Sequence, residues 1–222
     1  MLRGLLSFSS MTMVSRVLGL VRDQVVTSTF GTNAITDAFW VAFRIPNFLR
    51  RLFAEGSFAT AFVPVFTEVK ETRSHAELRE LMARTAGTLG GVLMLVTALA
   101  LIFAPQLASV FASGVDTDPA KQGLLIDLFR LTFPFLLFVS LTALAGGALN
   151  SFQRFAMPAL TPVILNLCMI AGALWLAPRL GGTPEKQILA LGWAVLAAGI
   201  LQLLFQLPSL KGINLLTLPR WG

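Results

Sequence analysis

SRVLGLVRDQVVTSTFGTNAITDAFWVAFRIPNFLRRLFAEGS, residues 15–57, is apolar enough to lie in a bilayer, yet it carries Arg16, Arg22, Arg44, Arg50 and Arg51. An arginine at the centre of a membrane helix costs about 2.5 to 3.5 kcal/mol on insertion scales, whereas each Leu, Ile, Phe or Val returns only about 0.3 to 0.6. Several arginines in two consecutive spans therefore require a compensating environment. A water-filled cavity or an anionic ligand would supply it.

The rest of the chain fits a membrane setting. Hydrophobic residues make up 55% and charged residues 13%, with a mean hydropathy of +0.77. Soluble domains carry about 25% charged residues. The apolar runs reach membrane-spanning length, so the chain reads as an all-α integral membrane protein. The formal charge of +6 does not point to nucleic acid, because no basic run is interleaved with aromatics and much of the excess lies in apolar segments. The single cysteine, Cys168, excludes an internal disulfide. The N-terminal run after Arg3 lacks a small-residue cleavage site and reads as a retained first helix.

Six spans are expected, at about 5–30, 35–69, 82–112, 124–149, 156–177 and 188–207. They form one lobe over 1–212, with 213–222 as the start of a linker. Gly31-Thr32-Asn33 and Gly181-Gly182-Thr183-Pro184 read as turns. Span two is too long for a straight crossing, so Pro46 and Gly56 are its expected break points. Pro134 and Pro46 are candidate hinges. Ser74 with Glu77 three residues later reads as a capping box that opens span three. Gly87 and Gly91, four apart, suit close helix packing. Basic residues then divide eight inside to three outside when the N-terminus is cytoplasmic, so both termini are expected in the cytoplasm.

At 1.5 Å per residue, Arg16 lies about 17 Å into span one, and Arg50 and Arg51 about 20 Å into span two from its outer end. Two antiparallel neighbours would bring them to similar depth, facing one cavity. Guanidinium forks match phosphate and carboxylate and keep their charge in apolar surroundings. A phosphate-bearing or multiply acidic ligand is the expected occupant. Internal pairing with Asp23, Asp37 and Glu55 is the bland alternative, with Arg51 and Glu55 at i,i+4. Arg44 is divided between the cavity and the outer interface, and Asp37 between ligand contact and the helix dipole. No catalytic, metal or cofactor set is legible: His75 is the only histidine and no phosphate-binding loop of the Walker type occurs.

Three stretches carry a family pattern: SSMTMVSRVLGLVRD at 9–23, TDAFWVAFRIPNFLRRLFAEGSFATAFVP at 36–64 and LNSFQRFAMPALTPVILN at 149–166. The chain resembles the MurJ (MviN) lipid II flippase family, in the multidrug/oligosaccharidyl-lipid/polysaccharide exporter superfamily. The resemblance implies a membrane transporter rather than an enzyme. It moves a lipid-linked peptidoglycan precursor, lipid II, across the bacterial cytoplasmic membrane by alternating access of two six-helix lobes. Arginines of a cationic cavity are thought to hold the pyrophosphate. The matching residues here are Arg16, Arg22 and Arg50, with Arg51 beside it, and Ser15, Asp37 and Glu55 match further polar positions. The chain matches the N-terminal lobe only, so a second lobe is an implied partner. A polysaccharide-lipid or drug exporter and a non-transporting membrane scaffold are the alternatives. A cation-coupled drug exporter is expected to favour acidic cavity residues.

Overall fold

The computed structural model describes the backbone of residues 2–54, 57–111 and 119–222, and the side chains of residues 13–50, 60–110 and 121–222. Among these residues the chain is helical throughout, without strands. The elements are α1 (Leu2–Phe30), α2 (Ala34–Ala54), α3 (Ser57–Thr72), α4 (His75–Ile102) and α5 (Ala104–Phe111), followed by α6 (Pro119–Thr132), α7 (Phe135–Ser151) and α8 (Ala156–Ala171). A π-helical turn (Gly172–Leu176) then leads to α9 (Ala177–Leu180) and α10 (Pro184–Lys211).

Local chemistry sets the helix ends. Gly31 takes a left-handed φ of 76°, and the Asn33 side chain closes the turn by donating to the Phe30 carbonyl at 2.8 Å. Its oxygen accepts the Ile35 and Thr36 N–H groups at 3.0 and 3.1 Å, so two otherwise unpaired donors of α2 are satisfied. The capping box at Ser74 and Glu77 is formed in both directions. Gly181 and Gly182 both have positive φ, and Pro184 starts α10, where its missing N–H costs nothing.

Proline acts differently at its several positions. Pro134 divides the fourth expected span into α6 and α7. Pro46, by contrast, lies inside α2 and does not end it. The proline frees the Ala42 carbonyl four residues earlier, and the buried Thr132 hydroxyl of α6 lies 3.3 Å from that oxygen. The same hydroxyl is 2.9 Å from the Leu128 carbonyl. A neighbouring hydroxyl that covers a freed carbonyl is a standard way of tolerating proline in a membrane helix. Gly56, the other expected break point of span two, lies outside the described residues. A further interruption, the π turn, immediately precedes Pro178, whose ring would clash with the Leu174 carbonyl in a regular helix.

Among the described residues, four segments are long and apolar enough to cross a membrane: His75–Ile102, Lys121–Ser151, Ala156–Leu180 and Pro184–Lys211. They correspond to expected spans three to six. The expected count of six spans is therefore not exact. Spans one and two correspond to α1 and to α2 with α3, and their arginines lie on α1 and α2. α4 turns Met94, Leu95 and Ile102 outward, as a lipid-facing helix does.

One core packs α2, α6, α7, α8 and α10 together around Phe39, Phe43, Phe129, Phe135, Met169 and Leu191. Phe39 and Phe43 stack at 5.8 Å, and Phe43 meets Phe135 at 6.2 Å. A second core around Phe62, Phe66, Leu78, Leu144 and Leu210 joins α3, α4, α7 and α10. Gly87 and Gly91 do not receive another helix. The chain beyond α10 lies across them: Arg220 donates its N–H to the Ala83 carbonyl at 2.9 Å and pairs with Glu80 at 3.1 Å, while the Trp221 ring lies over Gly91.

Gly172, where α8 passes into the π turn, packs closely on α10: a Cβ there would stand 2.7 Å from the Ala194 Cβ and 3.1 Å from the Ala190 carbonyl. Gly172→Ala should destabilise the protein by about 1 to 3 kcal/mol through overpacking, read as a lower thermal unfolding midpoint in detergent. Gly123→Ala, where nothing lies within 4 Å, should leave the midpoint unchanged or slightly raised.

Candidate functional site

α1, α2, α7, α8 and α10 enclose a cavity of about 920 Å³. Four arginines line it: Arg16 and Arg22 from α1, Arg44 and Arg50 from α2. The expectation that Arg16 and Arg50 face one space is met, and Arg44 joins them rather than the outer interface alone. Ser15 also lines the cavity. Asp37 does not: it is exposed in the first turn of α2, where its charge complements the helix N-terminus. The side chains of Arg51 and Glu55, and with them their expected ion pair, lie outside the described residues.

Arg22 is the most constrained of the four. Its Nε and Nη2 donate to Asp23 Oδ1 at 2.9 and 2.7 Å, so here the bland alternative of internal pairing applies. Its Nη1 donates to Asn166 Oδ1 at 3.0 Å, and its guanidinium lies 5.8 Å from the Trp40 ring centre. Asn166 is 5% exposed and donates its own amide to the Ser15 carbonyl at 3.1 Å. One neutral amide thus ties α8 to α1 at two heights and aims Arg22 along the cavity wall. Arg50 donates to Asn47 Oδ1 at 3.1 Å. Among the described residues, Arg16 and Arg44 make neither an ion pair nor a hydrogen bond.

The electrostatic result is a cluster of like charge. Among the described residues no acidic side chain lines the cavity, and Asp23 is paired with Arg22 alone. Like charges converging on one cavity raise each other's energy and draw counter-ions in. The volume falls within the range of small-ligand sites. The arrangement suits a bulky anion.

Sequence reasoning passed over Asn166, Gln202, Gln206 and Asn47, all of which line the cavity. The signal was present. A carboxamide inside an apolar span is as anomalous in kind as an arginine, though less costly, and points to the interior of the bundle.

Comparison with known proteins decides the family. Residues 26–222 match the sequence profile described as lipid II flippase MurJ. The chain belongs to the MurJ family. It is 43% identical over 219 residues to a probable lipid II flippase MurJ of Haemophilus influenzae, a match covering 96% of this chain and 42% of that protein. It is 41% identical over 216 residues to the lipid II flippase MurJ of Burkholderia cenocepacia, covering 97% of this chain and 41% of that one. A solved structure described as lipid II flippase MurJ in an inward closed conformation superposes with a TM-score of 0.73 at 28% identity, covering 97% of this chain and 42% of the other. The chain therefore spans about two fifths of the length of these MurJ relatives. Family and apolar helices together make it a multi-pass membrane protein.

Asn166→Leu should release Arg22 from the α8 wall. The unfolding midpoint in detergent should fall, because the α1–α8 tie, which includes a hydrogen bond to a charged group worth about 1.5 to 3 kcal/mol, is removed.

Proposed function

We propose that this chain is the substrate-binding N-terminal lobe of a flippase for lipid-linked peptidoglycan precursor, acting in the bacterial inner membrane. The observation that carries the reading is the convergence of Arg16, Arg22, Arg44 and Arg50 on one cavity of about 920 Å³. A pyrophosphate brings multiple negative oxygens that accept from guanidinium forks. Arg16 and Arg44 supply charge that no described side chain offsets. Arg22 and Arg50, each fixed by an asparagine, supply direction. Ser15 stands at the same wall.

Transport then requires that the arginines face one side of the membrane and later the other. A single lobe forms half of such a cavity, and a second lobe rocking against it would complete the exchange. The chemistry is binding and release, with no covalent step. A cation-coupled drug exporter fits less well, since the cavity wall bears arginines where that function favours carboxylates. In the favoured orientation both termini are cytoplasmic and the turn at Gly181–Gly182 faces outward.

Arg16→Ala, Arg44→Ala and Arg50→Ala should each weaken binding of a polyprenyl diphosphate by about 10- to 100-fold, the range for hydrogen bonds to charged groups. Binding equal to wild type in all three would refute the cavity as the site. For orientation, a cysteine at Gly182 in a Cys168→Ala background should react with a membrane-impermeant maleimide on intact spheroplasts. Labelling only after permeabilisation would reverse the topology.

A further inference from the structure

The chain that follows α10 is laid against α4 by a defined turn. Asn214 takes a left-handed φ of 57° and donates its N–H to the Lys211 carbonyl at 3.0 Å, while the Leu215 N–H reaches the Leu210 carbonyl at 3.0 Å. This bond pair is the Schellman closure of a helix, with asparagine in the place glycine usually takes. Leu215 joins Leu210 in the second core and is 1% exposed, so the chain leaves α10 in a fixed direction. Pro219 then favours an extended Leu218, which lowers the entropy lost in laying the segment flat.

Residues 213–222 run along α4 from its first turn. His75 Nε2 lies 3.2 Å from the Ile213 carbonyl, Arg220 joins Ala83 and Glu80, and Thr88 Oγ1 donates to the Gly222 carbonyl at 2.9 Å. A Cβ on Gly87 would collide with the Arg220 backbone, and one on Gly91 with the Trp221 ring. Only glycine at both positions leaves room for the segment. Its two ends are held differently. Leu215 is buried in the core, whereas Leu218 and Trp221 are 85% and 75% exposed, and the Arg220–Glu80 pair faces solvent, where an ion pair adds little. Few buried contacts and exposed hydrogen bonds mark a segment that opens at low cost.

α4 is the helix with most need of such a hold. Of its most apolar stretch 17% is buried, against 28% to 56% in the other three long apolar segments among the described residues. We propose that residues 213–222 are a releasable clasp on α4. Seated on Gly87 and Gly91, the segment fixes the N-terminal half of that helix. Swung away about the buried Leu215, it frees that half to move while the arginine cavity keeps its shape, since none of the cavity-lining residues belongs to α4. The clasp is a conformational device separate from the head-group reading and stands or falls without it.

Hydrogen exchange read by mass spectrometry on the purified protein in detergent tests the clasp. The wild type is compared with the double variant Arg220→Ala/Trp221→Ala, which alters no residue of α4. Peptides covering 216–222 should exchange more slowly in the wild type than an unstructured chain, because the Arg220 N–H is bonded to Ala83. In the double variant, exchange there and in 75–91 should rise about fivefold, about one hydrogen bond's worth, while peptides of α1, α2 and α8 keep their wild-type rates. Gly87→Leu, which blocks the seat from the other side, should release the same two segments. Unprotected exchange of 216–222 in the wild type overturns the proposal, as does a double variant that changes neither segment. Release of 216–222 with unchanged exchange in α4 also overturns it, since the segment would then be a passenger. So does a rise in every peptide, which would make the segment a support of the whole lobe.

Discussion

One buried amide, Asn166, holds the charged wall of the cavity together. Its oxygen receives Arg22 and its nitrogen reaches the Ser15 carbonyl, so α1, which carries two arginines, is tied to its neighbour α8. A guanidinium in an apolar bundle is stable only where its hydrogen bonds are met and its charge is answered. For Arg22 the answer is local: Asp23, Asn166 and the face of Trp40. For Arg16 and Arg44 no described side chain gives one, and the charge is left to whatever fills the cavity. The division into held and unanswered arginines is the physical basis for treating the space as a binding site.

The interruptions of the helices serve the same geometry. α6 and α7 part at Pro134, and the π turn widens the path before Pro178. Each break occurs where a proline ring cannot be accommodated in a regular helix. Pro46 shows the opposite outcome from the same residue type. With Thr132 beside the Ala42 carbonyl, α2 continues and keeps Arg44 and Arg50 on one rigid element, two turns apart.

By itself, the sequence determined that this is a helical membrane protein, where most of its turns fall, and that residues 15–57 concentrate a charge needing an answer. Those conclusions depend on properties that act locally or along one helix: hydropathy over twenty residues, capping at Asn33 and Ser74, and the cost of an arginine in an apolar run. Only the tertiary structure decided that Arg44 faces the cavity and that Asp37 does not, because both lie on apolar α2 and only packing against α6 and α7 selects a face. It also decided that Pro46 leaves its helix whole, since the hydroxyl that permits this belongs to α6, ninety residues away. Asn166, Gln202 and Gln206 stood as isolated polar letters in spans five and six. Their meaning lies in partners on other helices, Ser15, Arg22 and Thr161, and no spacing along the chain encodes which helices will touch.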